Sequence, residues 1–174
     1  MKRTVWKFGL ISGAILAGLG AVAVPLWGRS RPTFEHAVVV GYTIMVLSFL
    51  LVFFGIRSYR EETGGAISFG KAFQVGILVT LVACVMYVAA WEVVCFGFMP
   101  DFGDKYAAAV LGKMKTRGES AERIEAARRE MEKFVVSYRN PVLNAGMTFL
   151  EVFPVGLAMT LLSAGVLRKK AAAA

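Results

Sequence analysis

An all-α integral membrane fold is what this sequence predicts: a bundle of four transmembrane helices, with an amphipathic helical segment between the third and the fourth. Three observations predict it. The 174 residues are 57% hydrophobic with a positive mean hydropathy, too apolar for an ordinary water-soluble domain. The apolar residues gather in four blocks, at about 8–27, 37–56, 72–99 and 142–167, each matching or exceeding the roughly 20 residues that a helix needs to cross a bilayer. The blocks lack the alternation of a barrel strand, and backbone groups in lipid have no water to bond, so helices must carry them. Residues 1–174 read as a single membrane domain, with 101–140 as an extramembrane helical insertion.

The first block opens after Met1-Lys2-Arg3 and could be read as an export signal cleaved near Ala21-Val22-Ala23. The block's 20 residues, all uncharged, exceed the roughly 7 to 15 of a signal core, which favours a retained helix. Gly9, Gly13, Ala17 and Ala21 recur four apart, a stripe of small residues that lets another helix approach closely. The second block starts at Glu35 and His36. An acid in the first turn suits the helix dipole, and the histidine either finishes the helix end or relays protons or binds metal. Arg57 and Arg60 close this helix at headgroup level, Gly64-Gly65 makes a turn, and Ser68 or its neighbours begin the third helix.

The third block holds Glu92 together with Cys84 and Cys95. The two cysteines are eleven positions apart, about 16 Å along one helix axis, so they cannot bridge and read as packing thiols. Between blocks three and four, 104–114 can form a short helix, Gly118 interrupts it, and Ser120 can cap a second helix running to about Tyr138. In that helix Ile124, Ala127, Met131, Phe134 and Tyr138 share one face, while Glu119 with Arg123 and Glu125 with Arg129 pair on the wetter one. Asn140-Pro141 then turns the chain into the fourth block. Trp27, Tyr59, Trp91 and Tyr138 read as interfacial or bundle aromatics.

The fourth block contains "TFLEVFPVG", residues 148–156, where Glu151 and Pro154 are each costly. An acid near the centre of a membrane helix costs about 2.5–3.5 kcal/mol on insertion scales, so it faces protein or water. Glu92 and Glu151 sit roughly 10 and 15 Å below the same membrane face and, if they meet, would share protons instead of both ionising. Asn144, Thr148 and Glu151, at i, i+4 and i+7, form a polar stripe. Pro154 frees the carbonyl of Leu150, to which a protonated Glu151 can donate, fixing a kink. Two readings of Glu92, Glu151, Asn144, Thr148 and Pro154 stand side by side: a structural one and an ion- or proton-handling one.

An even number of crossings puts both termini and the 57–71 loop on one side, with Lys2, Arg3, Lys7, Arg57, Arg60, Lys71, Arg168, Lys169 and Lys170. The opposite short loop has Arg29 and Arg31, so both termini are expected in the cytoplasm. The formal charge of +8 is accounted for by helix ends and lipid headgroups, which argues against nucleic acid as a partner. Nucleophile motifs, metal-ligand spacings and phosphate loops are absent from the sequence, so neither an enzyme, a cofactor nor a metal is expected.

Tyr59-Arg60-Glu61, Gly64-Gly65, Ile67-Ser68-Phe69-Gly70-Lys71-Ala72-Phe73 and Val75-Gly76, joined with Glu151-Val152-Phe153-Pro154-Val155-Gly156, carry a resemblance. On these residues the chain resembles the bacterial membrane family called domain of unknown function 4199, over nearly its whole length. The resemblance implies a four-helix inner-membrane protein and brings no reaction, cofactor or substrate. The expected role is therefore structural or accessory, in a homo-oligomer or beside another membrane protein. The rival is a small proton- or ion-linked transporter or channel using the buried carboxylates.

Overall fold

The computed structural model describes residues 1–30 and 34–169, and the side chains of 1–20 and 39–169. The described residues form six helices: α1 Lys2–Ser30, α2 Phe34–Glu62, α3 Phe69–Phe98, α4 Phe102–Thr116, α5 Ala121–Tyr138 and α6 Pro141–Leu167. Among the described residues, three stretches are long and apolar enough to cross a membrane: Val39–Glu62, Phe69–Phe98 and Pro141–Leu167. The expected span at 8–27 falls within α1, and its part from residue 21 onward lies outside the described side chains. The helices overrun the apolar blocks because charged flanks keep the helical hydrogen-bond pattern going; Arg57 and Glu61 pair at 2.9 Å in the last turns of α2.

The chain divides into two compact units, Met1–Ala90 with Phe149–Ala174, and Trp91–Thr148. In the first, α1, α2 and parts of α3 and α6 share one core, in which Leu16, Phe49, Val52, Ile56, Val75, Val79 and Val152 are buried. α1 and α2 form an antiparallel pair: the Ser12 hydroxyl donates to the Ser48 carbonyl at 2.8 Å, and Thr4 donates to the Glu62 carboxylate at 3.3 Å. α1 runs parallel to α3 and close to it. A Cβ at Gly9 would lie 2.7 Å from Val82 Cβ, and one at Gly13 would lie 3.2 Å from Ala83 Cα. Small residues are what this approach requires.

α3 and α6 meet antiparallel along a reciprocal seam. A Cβ at Gly76 would fall 2.8 Å from Thr160 Cγ2, and a Cβ at Gly156 would collide with Thr80 Cγ2. Each glycine thus makes room for the other helix's threonine. The two hydroxyls bond at 2.9 Å, and Thr80 also reaches the Gly156 carbonyl at 3.4 Å. Both needs are met if Thr160 donates to Thr80 and Thr80 donates to the carbonyl. Such bonds between membrane helices contribute about 0.6 kcal/mol on average, with a maximum near 1.7.

One end of this unit is tied across the chain. Gly64 and Gly65, at φ 90° and 80°, turn back at the end of α2, and Gly65 N–H donates to the Arg60 carbonyl at 2.9 Å. Positive φ at two successive positions suits glycine because it lacks a Cβ. Beyond the turn, Ile67 and Lys169 exchange two backbone hydrogen bonds at 3.0 and 2.9 Å as an isolated antiparallel bridge. The Arg60 guanidinium donates to the Leu167 carbonyl at 3.2 Å, covering an acceptor that the end of α6 leaves open.

In the second unit, α4 and α5 pair through aromatic rings: Tyr106 with Phe134 at 5.3 Å between centroids, and Phe102 with Tyr138 at 5.8 Å. Trp91 adds an edge against Phe102 and donates Nε1–H to the Tyr138 hydroxyl at 2.9 Å. Gly118, at φ 69°, separates the two helices, and the Ser120 side chain accepts from Arg123 N–H at 3.4 Å at the start of α5. Ile124, Ala127, Met131, Phe134 and Tyr138 are half-buried, while Glu119–Arg123 and Glu125–Arg129 pair at 2.8 and 3.7 Å. Asn140 then caps α6, its side-chain oxygen accepting from Val142 N–H at 3.0 Å, with Pro141 in the first helical position where no donor is needed.

Candidate functional site

The polar residues singled out in the fourth apolar block all lie on α6, and their surroundings differ along it. Asn144 is fully buried in the second unit. Its amide donates to the Tyr138 carbonyl at 3.0 Å and contacts Cys95 Sγ at 3.6 Å, while its oxygen accepts from Thr148 at 3.3 Å. Both ends of this amide are therefore occupied in joining the end of α5 to the first turns of α6. A group so committed is a fastening, with little freedom to take up an ion.

Buried positions continue along α6 as Asn144, Thr148, Val152, Gly156, Thr160 and Ala164, four apart. Each step of four overshoots a helical turn by about 40°, so the buried row winds around the helix. Glu151 precedes Val152 and falls about 100° from that row. The structure accordingly leaves Glu151 exposed, beside Leu150 at 68% exposure, so the expected stripe through Asn144, Thr148 and Glu151 stops being buried at its third member. Among the described residues, Glu151 makes no side-chain hydrogen bond, and the expected bond from its carboxyl to the Leu150 carbonyl is not formed. Pro154 lies inside α6, on the exposed side.

Glu92 belongs to the second unit and Glu151 to the first. Glu92 is half-buried, and its Oε1 is enclosed without a hydrogen-bond partner among the described residues. Cys84 and Cys95 are free thiols and buried, as packing residues would be. Gly9 and Gly13 are buried and Ala17 half-buried, whereas Ala21, Trp27, Glu35 and His36 lie outside the described side chains. Among the described residues, no group of three or more His, Cys, Asp or Glu side chains converges to hold a metal ion.

Three features were not foreseen from the sequence. The Thr80–Thr160 pair had a signal, since Gly-x-x-x-Thr occurs at 76–80 and again at 156–160. Arg60 as a cover for the end of α6 had only its place in a basic loop. The Ile67–Lys169 bridge uses backbone alone and left no side-chain trace.

Comparisons with curated proteins and with solved structures give no match. The residues that carried the resemblance, Tyr59–Gly76 and Glu151–Gly156, provide the glycine turn, the bridge partner Ile67 and both glycines of the α3–α6 seam. The model of a family described as protein of unknown function (DUF4199) matches residues 7–169, nearly the whole chain, and the protein belongs to that family.

Proposed function

We propose that this protein is a four-span inner-membrane component with both termini in the cytoplasm, and that it serves a structural or accessory role in a larger membrane assembly instead of catalysing a reaction. One observation carries the reading: Glu151 stands exposed on a membrane-spanning helix, without a hydrogen-bond partner among the described residues. Facing lipid, such a carboxyl costs about 2.5–3.5 kcal/mol, a cost removed when a second protein covers it. That protein is another copy of this chain or a different membrane protein. The close packing supports the same reading, because Thr80 and Thr160 spend their hydroxyls between α3 and α6, and Ser12 spends its own on the Ser48 carbonyl of α2, and not along an open path.

α1 completes the four spans: its 29 residues suffice to cross a bilayer, and it packs antiparallel to α2. The enclosed, unpartnered Oε1 of Glu92 favours the rival reading of a proton-linked conduit. Reconstituted vesicles separate the two. Under an imposed pH gradient, the accessory reading expects dye-reported proton flux no greater than in empty vesicles, for the parent, Glu92→Gln and Glu151→Gln alike. It also expects a particle larger than one chain in mild detergent, made smaller by Glu151→Leu. Flux abolished by either glutamine variant would establish the conduit instead. Reporter fusions at both ends test the spans and their orientation.

A further inference from the structure

The tied end of the first unit gathers cations from four separate parts of the sequence: Lys2, Arg3 and Lys7 from α1, Arg57 and Arg60 from α2, Lys71 from α3, and Arg168 and Lys169 after α6. The connections are specific. Thr4 holds the start of α1 to Glu62 at the end of α2, and the Ile67–Lys169 bridge holds the end of α6 to the loop leading into Lys71. Against these cations stand two acids at this end, Glu61 and Glu62. Among the described residues, only Arg57 of these cations has an ion-pair partner, Glu61.

The helix ends add to the imbalance. At the ends of α2 and α6, the Thr63 and Gly65 N–H groups cover the Tyr59 and Arg60 carbonyls, and the Arg168 N–H and the Arg60 guanidinium cover those of Ala164 and Leu167. The N-termini of α1 and α3 point to the same end and have no acid in their first turns. Apart from Lys71 N–H, which donates to the Ser68 hydroxyl at 3.3 Å, their N–H groups add positive potential to that of the side chains. Arg168 and Lys169 are exposed, and Trp6 and Phe69, close in sequence to Lys7 and Lys71 at the starts of α1 and α3, are 57% and 42% exposed. Cations and exposed aromatics at the same helix ends match the layered chemistry of phosphate headgroups over acyl chains.

We propose that this end is a binding surface for anionic phospholipid, with the headgroup phosphate held by Arg168, Lys169 and Lys71. The clasp gives the surface its shape: because the bridge uses the backbone of Lys169, the ammonium remains free for a ligand. The proposal relies on the membrane-spanning reading. A chain that fails to insert defeats both, whereas an inserted chain without lipid preference defeats this one alone.

The test is native mass spectrometry of the full chain in detergent, titrated with phosphatidylglycerol or phosphatidylcholine. Phosphatidylglycerol is expected to bind at least about ten-fold more tightly, and less tightly as salt rises. Each cation near a phosphate is worth about five-fold, so the double variant Arg168→Gln, Lys169→Gln should weaken phosphatidylglycerol about 25-fold. Lys71→Gln alone should weaken it about five-fold; it keeps the test valid should the double variant unfold. The control, Lys115→Gln with Lys133→Gln, removes the same charge from α4 and α5 and should stay within about two-fold. Equal binding of the two lipids would overturn the proposal. So would a control loss as large as the clasp loss, which would mean net charge alone, or displacement by equimolar soluble glycerophosphate, which would mean a free anion is the ligand.

Discussion

Gly76→Ala is the substitution that best probes the α3–α6 seam. The added Cβ would lie 2.8 Å from Thr160 Cγ2 and 2.9 Å from Ile56 Cδ1. Carbon atoms in ordinary contact sit roughly 3.5–4.0 Å apart, so the helices must separate by about 0.7 Å or more, or the neighbours must turn. Ile56 can swing its terminal methyl at small cost. Thr160 cannot follow easily, because it is β-branched and its hydroxyl is bonded to Thr80 at 2.9 Å. Overpacking of this kind costs about 1–3 kcal/mol, and loss of the Thr80–Thr160 bond would add about 0.6. Equilibrium unfolding in mixed micelles should therefore show Gly76→Ala destabilised by about 2 kcal/mol. Adding Thr160→Ser deletes Cγ2 and keeps the hydroxyl, so the double variant should recover about half of that loss. Gly41→Ala, whose Cβ would meet nothing within 4 Å, should be neutral or slightly stabilising. A Gly76→Ala protein as stable as the parent, or no recovery with Thr160→Ser, would refute the reasoning.

Other outcomes follow from the second unit. Asn144→Ala leaves the Tyr138 carbonyl and the Thr148 hydroxyl without their shared partner, and should lower stability by about 1–3 kcal/mol in thermal unfolding. Tyr138→Phe removes the acceptor for Trp91 Nε1–H, and should cost about 1 kcal/mol and shift the indole emission. Asp101 is held below its ordinary pKa of 3.8, first by the hydrogen bond from Lys105 and then by that residue's charge. Because the folded value is depressed, this contribution is present above 3.8 and is lost as pH falls through the lower folded value. An NMR titration of the carboxyl should show its midpoint rise toward 3.8 in Lys105→Gln.

Much of the architecture was legible because lipid is an unforgiving solvent. A run such as 72–99 has few alternatives to a helix, and Asn140-Pro141 and Ser120 announce helix starts through the donors they supply or lack. Gly9 and Gly13 could be read from their spacing, since close approach leaves a compositional mark. Glu151 was harder. A wheel drawn with a straight stripe joins it to Asn144 and Thr148, but the contact row on α6 follows the small residues at every fourth position and winds away from it. Polar pairs such as Thr80–Thr160 depend on which helix faces which, and that is a property of the packed molecule.

The glycine–threonine seam also fixes how far one helix can slide past the other. Moving α6 by four residues in one direction would bring Gly156 opposite Gly76 and leave a hollow; in the other it would drive Thr160 onto Thr80. Neither neighbouring notch holds, so the pair behaves as a ratchet with a single tooth, and α3 and α6 must move as one piece or come apart.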